Sequence, residues 1–280
     1  MLSRAVLITG CSTGIGRATA ERLSATGHKV YATARKLGAI ADLEGRCTLL
    51  PLDVTDESSM RDAVNHVVRV EGAVGALVNN AGYSQSGALE SLDLDTVRRQ
   101  FETNVFGLLR MCQLVLPGMR EQGHGRIVNI SSMGGELTFP GAGAYHATKH
   151  AVEALSDALR FEVAGFGVRV AVVQPGAVRT DFDKTVVASL PEERDGPYAA
   201  FNARVGEITR GSYEKGLLKW LGGGPEVVAE AIEDAITNPR PKLRYRVTPS
   251  ARVMIAQRRL LSDRAWDRFL STRFPRPGSA

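Results

Sequence analysis

The sequence predicts an α/β fold built on a doubly wound parallel sheet, and three observations point there. Short apolar runs alternate with amphipathic helical stretches from the first residues onward. Glycine, asparagine, aspartate and serine gather where those runs end, the edge at which doubly wound sheets hold ligands. No flexible linker and no internal repeat divides the 280 residues, so the chain reads as a single domain with a C-terminal extension.

The elements follow in order. Ala5–Thr9 (AVLIT) is an apolar run that ends in glycines, and Ile15–Thr26 repeats at helical spacing. Lys29–Ala34 and Cys47–Leu52 are β-like, with Pro51 weakening the end of the second. Glu57–Glu71 is helical, with Thr55 or Asp56 as its N-cap. Ala76–Asn79 is a buried strand, followed by one long helix from about Asp95 to Leu116. Arg126–Ile130 and Val168–Val173 are further strands, with a helix through Tyr145 and Lys149 between them. Strands covered on both faces read as near-continuous apolar runs, and these six do. Residues 182–221 depart from the alternation: long, with Pro191, Pro197 and several glycines, they are expected to form an irregular substrate loop or lid. Pro225 then opens a helix in PEVVAEAIEDAIT, and Leu243–Val247 offers a last strand. The expected division is a catalytic domain over 1–250 and a basic amphipathic extension over 251–280.

Composition narrows the class. With 44% hydrophobic and 23% charged residues the chain is an ordinary globule, and no window of 18 apolar residues suggests a membrane span. The N-terminus runs straight into a strand, without the basic head, apolar stretch and cleavage site of a secretory signal. Cys11, Cys47 and Cys112 fit neither a disulfide framework nor a metal spacing, so a reducing, cytoplasmic setting and no metal are expected. The net charge of +5 is uneven: from Arg240 onward 11 Lys and Arg face two Asp, which leaves the first 239 residues at −4. The basic tail also carries Val253, Ile255, Leu260, Leu261, Trp266, Phe269 and Leu270, so it is read as a packed amphipathic helix. Membrane-surface contact is the lesser reading, and a nucleic-acid partner is not expected.

After the first strand comes TGCSTGIG, which sets Gly10, Gly14 and Gly16 on a strand-to-helix turn. There a backbone can approach a pyrophosphate and present helix N-terminal N–H groups to it. Asp53, the run NNAG from Asn79 to Gly82, and Ser131–Ser132 stand at the ends of later strands. At the end of the second strand, a carboxylate would accept from the adenosine 2′-hydroxyl of NAD. The sequence has Ala34, Arg35 and Lys36 there, and a guanidinium suits a 2′-phosphate, so NADP(H) is expected over NAD(H).

Taken together, TGCSTGIG, NNAG, the Asn of FETNVFG, the Ser of NISSMGG, and YHATK resemble the short-chain dehydrogenase/reductase family. The resemblance covers about residues 1–185 and the helix near 225–237. It implies a Rossmann-type fold and hydride exchange between a nicotinamide and a carbonyl or alcohol. It also implies roles: Tyr145 as general acid/base, Lys149 as its partner and a ribose ligand, Ser132 orienting the substrate oxygen, Asn104 holding a relay water. Gly10, Ser12, Gly14, Ile15 and Gly16 would meet the pyrophosphate, Asp53 the adenine, and Asn80 and Gly82 the ribose region. Pro175, Gly176 and Thr180 would meet the carboxamide. Independently of the family, positions four apart share a helix face, so Tyr145 and Lys149 project together, and a nearby ammonium favours phenolate.

Leu137, Phe139, Val186, Leu190, Tyr198 and Phe201 favour an apolar, steroid-, retinoid- or lipid-like carbonyl or alcohol. An alternative is a 3-oxoacyl-type ketoreductase. A reading of another class, a non-catalytic nucleotide-sensing or membrane-associated protein, fits less well with an intact Asn–Ser–Tyr–Lys set. The resemblance also implies a homodimer or homotetramer paired through the two long helices.

Overall fold

The computed structural model describes residues 2–191, 195–214 and 221–278. Seven strands form one sheet in the order β3-β2-β1-β4-β5-β6-β7, every neighbouring pair parallel. The strands are β1 (Val6–Ile8), β2 (Val30–Ala34), β3 (Thr48–Pro51), β4 (Ala76–Asn79), β5 (Gly125–Ile130), β6 (Val168–Gln174) and β7 (Arg244–Arg246). All seven fall within or beside the stretches the sequence marks. Pro51, which cannot donate to a ladder, ends β3 on the sheet edge, where that loss is tolerated. The order reverses between β1 and β4, so their carboxyl ends diverge and leave a crevice.

Side chains alternate across the pleat and build two cores. On one face Leu7, Leu77 and Ile127 meet Met60 and Val64 of α2 (Glu57–Glu71), Met111 and Val115 of α4 (Leu108–Glu121), and Val152 of α5 (Gly143–Val163). On the other, Val6, Ile8, Val78 and Val128 meet Ala20 and Leu23 of α1 (Gly14–Ala25) and Val228 and Ile232 of α8 (Pro225–Thr237). Asp56 caps α2 by accepting from Ser58 N and Ser59 N, and Pro225 occupies the first turn of α8, as expected.

Three expectations need correction. The single helix over 95–116 is α3 (Leu94–Phe101), a π-turn (Glu102–Gly107) and α4. The widening coincides with Asn104, whose side chain is bonded out of the helix to Tyr83, and with Gly107, packed so tightly that a Cβ would strike Val54 O. Residues 182–221 are not an irregular loop: α6 (Phe182–Ala188) and α7 (Ala199–Glu214) occupy most of the described part. Gly206 and Gly211 weaken α7 locally, but burying Phe201 and Val205 in a third apolar cluster outweighs propensity. The extension is two helices, α9 (Pro249–Leu260) and α10 (Asp263–Ser271), whose Ile255, Trp266 and Leu270 complete that cluster with Leu137. Among the described residues no helix is long and apolar enough to cross a membrane.

Part of the basic charge of the C-terminal segment is used internally. Arg244 reaches Glu153 at 2.9 Å and Asp157 at 2.6 Å, while Arg246 and Arg259 both reach Glu136, at 3.3 and 2.5 Å.

Candidate active site

Three segments converge at the carboxyl ends of β4, β5 and β6. Asn104, on the π-turn, is 1% exposed and makes three side-chain hydrogen bonds. Its Oδ1 accepts from Tyr83 N (3.1 Å), and its Nδ2 donates to Tyr83 O (2.9 Å) and Thr148 Oγ1 (3.1 Å). Thr148 Oγ1 in turn donates to the carbonyl of Tyr145 (2.7 Å), so Asn104 is tied to the first turn of α5. Sequence reasoning missed Thr148; its position between Tyr145 and Lys149 was the available signal.

Tyr145 and Lys149 project from one side of α5, with Lys149 Nζ 5.6 Å from the centroid of the tyrosine ring. Ring centroids of His146 and Phe182 each lie 5.6 Å from that of Tyr145. Lys149 is buried and donates to Ile130 O at 2.9 Å. Burial pulls its pKa down to about 8, opposed by the carboxylate of Glu153 one turn further on. An ammonium therefore still predominates at neutral pH. Gly82 closes the group: a Cβ there would lie 3.1 Å from Asn104 Oδ1 and 3.7 Å from Lys149 Nζ.

Ser131 and Ser132 part company in the structure. Ser131 is buried behind Gly135, whose Cβ would come within 2.6 Å of its Oγ. Ser132 has extended backbone, is half-buried, and accepts from Gly134 N through Oγ at 3.1 Å. Its segment is joined to the next strand by Met133 N donating to Pro175 O at 2.8 Å. His146 is held neutral by burial, with a pKa near 3, and accepts from Phe139 N through Nδ1, which leaves it a packing role.

The glycine turn lies beside this group. Gly10 and Gly14 have φ of +74° and +60°, the left-handed region that favours glycine. A Cβ at Gly16 would collide with Gly10 O and Asn80 Nδ2. Asn80 Nδ2 donates to Thr9 O and Gly10 O, both at 2.9 Å, so this side chain braces the turn itself. Ser12 is exposed, Ile15 packs partly into the second core, and Thr180 lies within 3.4 Å of where a Gly14 Cβ would stand. Gly176 N donates to Thr248 Oγ1 at 3.0 Å, so the Pro175–Gly176 step rests on Thr248, and Ala177 N rests on Ser250. Neither support was visible in the sequence. Asp53 turns its Oδ1 onto Thr55 N at 2.9 Å, and Arg35 is exposed at the end of β2. Cys11 in the turn is fully buried, its thiol pushed up to about 12, consistent with an inert small residue.

The comparisons with known proteins agree with this geometry. A family model described as short chain dehydrogenase matches residues 4–190. The chain belongs to the short-chain dehydrogenase/reductase family. It is an oxidoreductase acting on alcohol and ketone groups with a nicotinamide cofactor. It is 37% identical over 258 residues to a 3-ketodihydrosphingosine reductase of Bacteroides thetaiotaomicron, covering 92% of each chain. It is 36% identical over 261 residues to human 17-beta-hydroxysteroid dehydrogenase type 1, covering 89% of this chain and 78% of that one. A crystal structure of a short-chain dehydrogenase from Streptomyces avermitilis superposes with a TM-score of 0.80 at 37% identity, covering 96% of each chain, so the likeness runs into the C-terminal extension.

The residues present fit such a cofactor. Thr13 caps α1 without a side-chain hydrogen bond and the first turn holds no acid, which leaves its N–H groups turned toward an anion. Gly16 lets the start of α1 pack directly on Gly10 O and Asn80 Nδ2, which fixes the shape of the turn, and the residues after β2 are the cations Arg35 and Lys36.

Proposed function

We propose that the protein is an NADP(H)-dependent ketone reductase or alcohol dehydrogenase for apolar, lipid-like substrates, with residues 1–250 as its catalytic unit and 251–280 as an extension that helps wall the substrate space. The observation that carries the substrate class is the third apolar cluster. Phe139, Leu190, Tyr198 and Phe201 gather there with Trp266 and Phe269 of the extension, and Phe182 stands against the Tyr145 ring. The 3-ketodihydrosphingosine and 17-beta-hydroxysteroid relatives act on molecules of that polarity, which supports the same class here.

Bound nicotinamide would supply or accept the hydride. The chain's own part is the proton and the positioning. Tyr145 holds the proton that passes to the carbonyl oxygen in reduction, and returns to phenol from solvent. Lys149, an ammonium at neutral pH against the ring, stabilises the phenolate left behind. Ser132 offers its hydroxyl to the reacting oxygen. Asn104 holds the Tyr83 segment against α5 and keeps the Tyr145 backbone in place through Thr148; the second lone pair of its Oδ1 is assigned to a relay water.

Gly10, Ser12, Gly14, Ile15 and Gly16 are assigned to the pyrophosphate, Asp53 to the adenine, Asn80 and Gly82 to the ribose region, and Pro175, Gly176 and Thr180 to the carboxamide. Arg35 is assigned to a 2′-phosphate. Pairing of copies through the helical stretch over 95–116 and α5 into a dimer or tetramer is supported by exposed Phe106, on the π-turn, and Phe161, on α5, at 52% and 88%. Initial rates with a panel of long-chain ketones, steroid ketones and 3-oxoacyl thioesters, followed by NADPH absorbance, test the whole reading. Turnover of the apolar ketones with NADPH, lost in Tyr145→Phe while cofactor binding persists, is expected. Preference for NADH, or turnover confined to acyl thioesters, would refute it.

A further inference from the structure

The amino-terminal edge of the sheet, opposite the candidate active site, contains a charge arrangement that the fold does not compensate. Arg126 on β5 and Arg169 on β6 are direct register partners. Each alternates with residues of the second core, Val128 and Ile130 after the first, Ala171 and Val173 after the second, so both belong to the same sheet face. Neighbouring strands stand about 4.8 Å apart, and like charges placed opposite one another are destabilising. Arg126 is 8% exposed, and its Nε is a buried donor with no partner among the described residues. Its one side-chain bond runs from Nη1 to the carbonyl of the preceding Gly125, at 3.2 Å.

No carboxylate among the described residues forms an ion pair with Arg4, Arg126 or Arg169. On α8, which covers that face, Glu233 is engaged by Arg22 and Asp234 by Tyr245 and Asn238. His124, at the approach to β5, is pushed below its usual range by burial and by the charges of Arg126, Arg4 and Arg169, so four basic groups share one locality. The region is cationic although the first 239 residues carry a net −4. Burying a guanidinium without a counter-charge is costly, and a fixed, unpaired donor marks where the missing anion belongs.

We propose that Arg126 and Arg169, with Arg4 and His124 at the rim, form an anion site for a phosphate-bearing ligand at the amino-terminal edge of the sheet. Two guanidinium forks on adjacent strands can hold the several oxygens of one phosphoryl group, whereas a single carboxylate satisfies one fork. The ligand is a soluble phosphate or diphosphate, or the headgroup of an acidic phospholipid; both present the same oxyanion. The site is separate from the coenzyme turn, which follows β1 at the opposite, carboxyl-terminal edge of the same sheet.

The test uses the full chain with saturating NADP+, so that the coenzyme turn is filled. Inorganic pyrophosphate is titrated against chloride at matched ionic strength while thermal unfolding is followed. Pelleting is measured with phosphatidylcholine vesicles with and without phosphatidic acid. Arg126→Met keeps the buried volume apolar, and Arg169→Gln changes an exposed side chain, so at least one variant folds. Wild type should gain stability from pyrophosphate or pellet with phosphatidic acid, and which of the two identifies the source. Either variant should weaken that binding at least about tenfold, as expected for loss of one charge-assisted fork. Binding to neither probe, or binding unchanged in both variants, would overturn the proposal.

Discussion

Replacing Lys149 with methionine should make the stability difference between wild type and variant depend on pH. The side chain is 6% exposed, and burial lowers its pKa from 10.5 to about 8 in the folded chain. A depressed lysine is a cost. Below pH 8 the folded protein carries the full penalty of a buried ammonium. Between about pH 8 and 10.5 the folded lysine loses its proton while the unfolded one keeps it, so the unfolded state binds more protons and wild-type stability rises with pH. Above that window the penalty is gone. At 1.36 kcal/mol per pKa unit the whole effect is about 3 kcal/mol, most of it recovered by pH 10. The donation from Nζ to Ile130 O is lost in the variant at every pH and cancels from the comparison. Urea unfolding of both cofactor-free proteins at pH 7 and pH 10 measures it: wild type should gain roughly 2–3 kcal/mol relative to Lys149→Met on going to the higher pH. A difference that stays constant across that range would refute the burial argument, and with it the account of how Lys149 is tuned.

Other consequences can be checked with standard measurements. Gly16→Ala forces a methyl into Gly10 O and Asn80 Nδ2, so the turn must shift; NADPH affinity by fluorescence titration should fall at least about tenfold, with a stability loss of about 1–3 kcal/mol. Wild-type affinity in that variant would remove the close-approach argument. Trp266→Ala empties the third cluster at a residue 4% exposed and should cost about 3–5 kcal/mol in chemical denaturation, showing that the extension is integral to the fold. Arg259→Ala breaks a contact whose arginine is 59% exposed and should cost less than about 1 kcal/mol. Glu136→Gln should cost more, because that carboxylate is 13% exposed and accepts from Gln174, Arg246 and Arg259 together.

The network around Glu136 and Glu153 joins the parts of the site. Gln174 Nε2 donates to Glu136 at 2.8 Å and to Glu153 at 2.9 Å, linking the segment after Ser132, the helix of Tyr145 and Lys149, and the strand leading to Pro175. Arg246 and Arg259 join the extension to the same carboxylate. None of this was legible in advance, since these residues are distant in sequence and each has an ordinary local environment.

What the sequence determined by itself was the set of elements and the local pairings. Short apolar runs specify strands because both faces of a parallel sheet are covered, and four-residue spacing on a helix puts Tyr145 and Lys149 together whatever surrounds them. Tertiary structure decided what depends on partners far along the chain. Asn104 interrupts its helix because Tyr83 and Thr148 are there to bond it, and 182–214 is largely helical because a third cluster exists to receive Phe201 and Val205. Asn80 braces Gly10 rather than capping its own segment, since β1 and β4 are neighbours. Arg126 faces Arg169 only through the register of β5 on β6. Local geometry is written in neighbouring residues, whereas burial, charge compensation and the pKa of Lys149 are properties of the packed whole.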